Sequence, residues 1–350
     1  MKTESWKEHL TPRRRDDLFE HLLSGGAKIK LLESFIDLDL GVVLWAGPLP
    51  AEEIGKKLVL QPYRARKWLN LLHLLGLLEK KSVRQEGCPV DEIYALTPFA
   101  RSLFSENGKL PLYYSSKVSY WKKAAAHDIY EALKGEALLQ IVRWPPQTIK
   151  QAAAYTDWMK ISADIVLAIL QKAVDFRKYS TLLHVAGGDG FIAYRLAQLY
   201  PDISVTVFNQ PAFAYLIKKN IEKEDRVVNF TVVEGDAYGE GSLPEGFAGI
   251  LWTRIFSDLP DETVLQLLKK TRKAINADGR VIICETMTDG NEDFVLTCEF
   301  NYLFTDDLGA RLFKTKKKYE SLLKEAGFNA VDFHEAGDEG MYTVITAAPA

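Results

Sequence analysis

Along residues 16–47, "DDLFEHLLSGGAKIKLLESFIDLDLGVVLWAG", apolar side chains recur every three or four positions, the spacing that lines one face of a helix. Gly25 and Gly26 are expected to break this run, and Gly47 with Pro48 to close it. Residues 49–83 continue with a short helix, a turn at Gln61 and Pro62, and a longer helix ending near Gly76. Two short strand candidates, 77–83 and 91–98, flank the polar loop 84–89. Helix, turn, helix and hairpin in that order predict a winged helix. A second helical stretch runs from 110 to 177, interrupted by Trp144, Pro145 and Pro146.

From Thr181 the rhythm changes to short apolar runs separated by helical ones. Strands are predicted over 181–187, 204–209, 228–236, 248–256, 279–287 and 341–349, and helices over 191–200, 212–223, 261–275 and 319–326. Strands alternating with helices mean βαβ units and a mostly parallel sheet. The fold class expected is therefore α/β: a doubly wound, Rossmann-like C-terminal domain after a mainly α N-terminal domain. The expected boundaries are 1–105 for the winged helix, 106–178 for a helical linker that roofs the substrate pocket, and 179–350 for the Rossmann-like domain.

Composition narrows the function classes. The 350 residues are 47% hydrophobic and 26% charged, with a formal net charge of −3. That balance gives no support to general nucleic-acid binding. Cys88, Cys284 and Cys298 form no C-x-x-C pair, so neither a disulfide framework nor a cysteine zinc site is implied, and a reducing compartment fits best. The polar N-terminus does not read as a signal peptide, and no apolar run has membrane-spanning length. The expectation is a cytoplasmic protein with no membrane or nucleic-acid partner and no metal.

Candidate chemistry sits at "LLHVAGGDGFIAYRLA", residues 182–197. The first strand–helix turn of such a sheet needs glycines so that backbone can approach a ligand, while the next helix presents its N-terminal amides. Gly187, Gly188 and Gly190 meet that need, although the G-G-x-G spacing argues against the dinucleotide fingerprint. Asp189 disfavours a pyrophosphate and tolerates a cationic or zwitterionic ligand. Taken alone, the cluster reads equally well as tight packing. The second strand ends at Asn209, about 20 residues on, where a ribose-reading side chain belongs. The third ends at Gly235 and Asp236, where a carboxylate can accept from an adenine amino group. Three successive strand ends thus each offer a polar group suited to an adenosine.

These residues resemble the class I S-adenosylmethionine-dependent methyltransferases, and more narrowly the small-molecule O-methyltransferases with an N-terminal winged-helix dimerisation domain, of plant caffeate and bacterial antibiotic or pigment type. "HVAGGDG", "VFNQPAF", "VVEGDAY", "LWTRIFSDLPDETVLQLLKKTRKAINADGRVIICE" and "KTKKKYESLLKEAGF" each match a family motif, and the resemblance covers nearly the whole chain. It implies S-adenosylmethionine as cofactor, S-adenosylhomocysteine as product, and methyl transfer to a small, aromatic or polyketide-like metabolite of secondary metabolism. It places Gly187, Gly188 and Gly190 at the methionine portion, Asn209 and Gln210 at the ribose side, and Asp236 with Ala237 at the adenine. Thr253 and Arg254 are further cofactor contacts, Arg254 either bracing the pocket or pairing with a surface carboxylate. Trp158, Met159, Phe300 and Asn301 fall on helices that line the family's substrate pocket. The resemblance also implies a homodimer through the N-terminal domain, with the apolar "WLNLLHLLGLL" as its buried face.

The departures bear on mechanism. His184 stands where the family's glycine motif opens with aspartate, and Asn209 where it has the ribose aspartate. Ser257 stands at the catalytic histidine, followed by Asp258, whose structural alternative is a cap for the helix near Pro260. Of two glutamates that orient the histidine, one survives as Glu285 and the other falls on Phe313. A general base contributes about 10²–10⁴-fold, and a lone serine hydroxyl cannot supply one. Either the nucleophile needs no base, or Asp258, Glu285 or His127 serves, or the protein binds the cofactor without transferring methyl. A third class, a winged-helix DNA-binding regulator using Arg64, Arg66 and Lys67, is weighed against the near-neutral chain.

Overall fold

The computed structural model describes residues 11–83, 91–135, 146–222, 229–305, 311–337 and 340–350. They divide into two compact units, Met1–Lys122 and Lys123–Ala350.

In the first unit, α1 (Pro12–Asp37) is opened by Thr11, whose hydroxyl accepts from Arg14 N, and by proline at the first helical position. The helix runs unbroken through Gly25 and Gly26, contrary to the expected break. Glycine weakens a helix by about 1 kcal/mol relative to alanine but keeps both backbone hydrogen-bonding groups. The left-handed turn comes later, at Asp39 with φ 51°. There follow α2 (Leu40–Val43), β1 (Leu49–Pro50), α3 (Ala51–Lys57), α4 (Pro62–Leu74), β2 (Leu78–Val83), β3 (Asp91–Leu96) and α5 (Pro98–Ser102). The strands form one antiparallel sheet in the order β1-β3-β2. Leu69, Leu72, Leu77 and Leu78 pack into this unit's own core with Leu40, Ile54 and Tyr94. Four leucines of the stretch expected to be a dimer face are thus interior, and Leu71 and Leu74 are its exposed large hydrophobics. Cys88 lies outside the described residues.

After α6 (Leu112–Ala125), which passes from the first unit into the second, come α7 (Ile129–Leu133), α8 (Ile149–Lys160) and α9 (Ala163–Ala173). Thr148 and Gln151 close a reciprocal capping box at the start of α8. Trp144 and Pro145 lie outside the described residues. The sheet is built from β4 (Thr181–Val185), β5 (Ser204–Asn209), β6 (Phe230–Glu234), β7 (Phe247–Thr253), β8 (Ile275–Thr286), β9 (Phe328–Glu335) and β10 (Tyr342–Pro349), in the order β6-β5-β4-β7-β8-β10-β9. The five strands from β6 to β8 are parallel, and β10 runs antiparallel to both β8 and β9.

Helices cover both faces. α9, α10 (Phe191–Leu199) and α11 (Pro211–Ile221) pack on one, and α12 (Asp261–Ala274) and α14 (Lys316–Glu325) on the other. α13 (Glu292–Tyr302) follows β8. Strand β9 is absent from the six strands expected. Its "FNAVDFHE" carries polar groups throughout because it is an edge strand paired only to β10, with most of its residues exposed. The strand expected over 248–256 stops at Thr253. There Arg254 adopts φ 55° and a single 3-10 turn, Phe256–Asp258, follows.

Candidate functional site

Every candidate loop leaves the same edge of the sheet, since parallel strands deliver their C-terminal ends to one side. At the end of β4 the chain passes into a tight turn. A Cβ on Gly187 would lie 2.5 Å from His184 Nδ1, and one on Gly190, where φ is 81°, would lie 2.8 Å from Ile217 Cγ2. Gly190 caps α10, and the Asp189 carboxylate accepts from Phe191 N at 3.2 Å.

The three strand ends meet through their side chains. Asn209 Nδ2 donates to Gly188 O at 3.1 Å, and Gln210 Nε2 donates to Asp236 Oδ1 at 3.1 Å. Gln210 and Ala237 line a small hollow with Asn209 and Ala186. Gly187, Gly188, Thr253, Arg254 and Met159 line a second, which shares Ala186 with the first. Ala186 (φ 53°) and Arg254 (φ 55°) are non-glycine residues in the left-handed region at the ends of neighbouring strands. Such backbone costs about 1–3 kcal/mol and concentrates at binding sites. Among the described residues Arg254 pairs with no surface carboxylate. Its NH1 donates to Met159 O at 2.7 Å and Ser162 Oγ at 2.6 Å, bracing the junction of α8 and α9.

His184 is fully buried, with Nε2 3.0 Å from Thr253 Oγ1. Burial, and secondarily the Arg254 charge, pushes its pKa down to about 3, so the imidazole is neutral. It ties β4 to β7 beneath Gly187 and takes no part as an acid or base.

The turn after β7 is a different environment. Glu285, on β8, is fully buried; its Oε1 accepts from Ile255 N and Phe256 N, each at 2.7 Å, and its Oε2 accepts from Ser257 Oγ at 2.9 Å. Burial pushes the Glu285 carboxyl up to about 7 against these hydrogen bonds, and Asp258 adds to the rise. Asp258 caps nothing: α12 starts after Pro260 without a side-chain cap, and Asp258 Oδ1 accepts instead from Tyr302 OH. The Tyr302 phenol, held well above its ordinary pKa by burial and then by Asp258, stays protonated and donates. Phe313 stacks on Tyr302 at 6.3 Å and meets Phe294 edge-on at 6.1 Å, an aromatic wall where a second carboxylate was sought.

Phe300 packs against Phe304, Ala124 and Ala132, and Asn301 is buried with its carbonyl oxygen unpartnered. His127 is exposed and meets the Phe304 ring edge-on at 6.4 Å. The Trp158 side chain lies outside those described. Among the described residues no group of three or more His, Cys, Asp or Glu is placed to hold a metal ion. Tyr302, Lys314 and Lys270 are site residues that sequence reasoning missed. Lys270 donates to Ala237 O at 2.9 Å and to Gly239 O, fixing the loop after β6. Lys270 and Lys314 were visible as polar residues inside matched motifs, and Tyr302 as the neighbour of Asn301, but only contacts give them a role.

Against known proteins, residues 122–329 match the O-methyltransferase domain family model. The chain is 30% identical over 312 residues to (+)-6a-hydroxymaackiain 3-O-methyltransferase 2 of Pisum sativum, with 81% of each chain covered. It is 23% identical over 323 residues to the bacteriochlorophyllide d C-20 methyltransferase of Chlorobaculum tepidum, covering 89% of this chain and 91% of the relative. Among solved structures it superposes on the S-adenosylmethionine-dependent methyltransferase SibL with a TM-score of 0.73 at 24% identity, covering 94% of this chain and 97% of that one. The chain belongs to the O-methyltransferase domain family, and the resemblance to S-adenosylmethionine-dependent methyltransferases drawn from its motifs stands.

Proposed function

We propose that the protein transfers a methyl group from S-adenosylmethionine to a hydroxyl of a small aromatic or polyketide-like metabolite, with Ser257 and Glu285 handling the proton. The observation that carries the reading is the meeting of three strand ends, Gly188 with Asn209 and Gln210 with Asp236, around hollows that share Ala186. The cofactor fits the residues present. Gly187 and Gly190 admit no Cβ because His184 and Ile217 pack against them, which fixes the turn, while a Cβ on Gly188, at φ 57°, would meet nothing nearer than the Thr156 methyl at 3.9 Å; amide and carboxylate groups stand at the other two loops. Gly187 and Gly188 would hold its methionine portion, Asn209 its ribose, and Asp236 and Ala237 its adenine, with Thr253 and Arg254 at the wall. Bound there, the cofactor supplies an electrophilic methyl on a sulfonium, which the substrate oxygen takes as the carbon–sulfur bond breaks.

Ser257 Oγ donates to Glu285 and so turns its lone pairs outward, able to accept from a substrate hydroxyl. As that hydroxyl loses its proton to Ser257 Oγ, the serine's own proton passes to Glu285 Oε2. A carboxyl poised near 7 is matched to this task at neutral pH. Tyr302, Phe313 and Phe300, with Met159 and Asn301, would bound the acceptor, and aromatic faces suit a planar ring.

Calorimetry with S-adenosylmethionine and S-adenosylhomocysteine tests the cofactor half, with micromolar binding expected; binding of neither rejects it. Mass spectrometry against a metabolite panel tests transfer, whose product is heavier by one methylene. A second reading, a cofactor-binding protein that does not methylate, draws on Glu285 already holding three donors, and it is favoured if binding occurs with no methylated product.

We further infer that the first unit is a winged-helix dimerisation domain of a cytoplasmic homodimer. Leu18, Phe19, Leu22 and Leu23 leave one face of α1 apolar and exposed. The DNA-binding alternative is weakened because Arg66 lies within electrostatic reach of Glu52 and Glu92.

A further inference from the structure

Glu285 holds the turn at Ser257 by its N–H groups, and Lys314 holds the same turn by its carbonyls. Lys314 Nζ donates to Phe256 O at 2.8 Å, Leu259 O at 2.6 Å and Leu312 O at 2.6 Å, which satisfies all three of its donors. Phe256 and Leu259 flank Ser257 and Asp258, so one ammonium closes the turn from both sides of the two residues it presents. The residue is 3% exposed, and among the described residues its one carboxylate partner is Asp261, at 3.9 Å. An ammonium held this deep, hydrogen-bonded to carbonyls with a single carboxylate at the edge of ion-pair range, pays a desolvation penalty that simple packing does not explain. The segment carrying Lys314 also sets Phe313 against Tyr302, the donor to Asp258.

We propose that Lys314 is a positioning residue for the proton-accepting pair: its ammonium fixes the turn so that the Ser257 hydroxyl and the Ile255 and Phe256 N–H groups meet Glu285. The proposal rests on the Ser257–Glu285 reading above. Burial lowers the Lys314 pKa, while Asp261, Glu285, Asp258 and Glu299 oppose the fall. Around Glu285, Asp258 from the turn raises the carboxyl further, while Cys284 on β8, Tyr319 from α14 and Tyr238 from the loop after β6 are themselves raised by burial and stay protonated. The groups that favour its charged form are the Ile255 and Phe256 N–H groups and the Ser257 hydroxyl, all supplied by the turn that Lys314 closes.

The test is an infrared pH titration of the protonated-carboxyl stretch of Glu285 in the full chain, the band being assigned by its loss in Glu285→Gln. Lys314→Met is expected to move the midpoint upward by about one unit, because a loosened turn withdraws the donors that favour the charged form, and Lys314→Arg, whose guanidinium does not fit the three carbonyls, to move it the same way. S-adenosylhomocysteine affinity, by calorimetry, is expected to stay within about threefold in both, since neither variant touches the crevice. An unmoved midpoint in a folded Lys314→Met overturns the proposal and leaves Lys314 a fold brace. Should Lys314→Met not fold, amide hydrogen exchange in Lys314→Arg decides. A guanidinium too bulky for the three carbonyls is expected to speed exchange at Ile255 and Phe256 at least tenfold, and unchanged protection there overturns the proposal. None of these readouts needs turnover. A wild-type chain that makes no methylated product would sink the transfer reading while the Glu285 midpoint and the two amides still judge Lys314.

Discussion

The crevice at the ends of β4, β5 and β6 and the turn at the ends of β7 and β8 sit on the same rim of one sheet, yet they treat polar groups in opposite ways. In the crevice, buried Asn209 donates to Gly188 O and accepts from Gln210 N, but the Gln210 side chain is paired only with the exposed Asp236 carboxylate, and its Oε1 has no partner among the described residues. At the turn, Glu285 carries three donors, Lys314 three acceptors, and both are sealed from water. Weakly committed groups can change partners when a ligand arrives. Groups satisfied in a low-dielectric interior hold their geometry and resist such exchange. The contrast is what the proposed function requires of a binding region and of a region of preorganised chemistry.

The largest test of that contrast is Glu285→Ala. It strands two backbone N–H groups and a serine hydroxyl in the interior, at about 1–3 kcal/mol for each unsatisfied group. A loss of roughly 3–5 kcal/mol in urea-unfolding stability is expected; a loss below 1 kcal/mol would mean the turn does not depend on the carboxylate. Next is Gly187→Ala, whose Cβ would meet the His184 ring at 2.5 Å. Overpacking of this kind costs about 1–3 kcal/mol, and S-adenosylhomocysteine binding, read by calorimetry, should weaken at least tenfold.

The pH dependence of stability separates the two regions by sign. Glu285 has a folded pKa of about 7 against an ordinary 4.5, so the folded state binds the extra proton and stability falls as pH rises between those values, by an amount on the order of 3 kcal/mol. His184 has a folded pKa of about 3 against 6.5, so its contribution is present above 6.5 and is lost as pH falls toward 3. Glu285→Gln should therefore make stability rise more steeply with pH from 4.5 to 7, by removing the opposing slope. Urea midpoints across that range check it. The smallest effect is expected at Gln210→Ala, where an exposed pair is removed. Stability should change by less than about 0.5 kcal/mol, while freeing Asp236 should tighten S-adenosylhomocysteine binding, and a tenfold loss of affinity would instead make Gln210 a ligand contact.

The alternation of apolar runs and helical repeats from Thr181 onward was legible because each buried strand of a parallel sheet is apolar along its length, whatever its neighbours. The glycine turn was legible for the same local reason: clearance and φ are properties of single positions. Edge strand β9 was not legible, since its polar side chains satisfy no pattern until β10 is beside it. The unbroken α1 and the interior placement of Leu69 and Leu72 also followed from packing, which overrides a glycine pair and chooses which leucines a core takes.

By itself, then, the sequence determined the class of fold, the polar loops at the ends of its parallel strands and the exchange of histidine for Ser257, because these are written in local spacing and residue type. Only the tertiary structure decided that Glu285 meets that serine directly, that Tyr302 holds Asp258, and that Lys314 closes the turn from its carbonyl side. Those partners lie 28, 44 and 58 positions apart. Nothing in local spacing ties residues so far apart, and their hydrogen bonds exist only where the folded interior removes water and leaves each group no other partner.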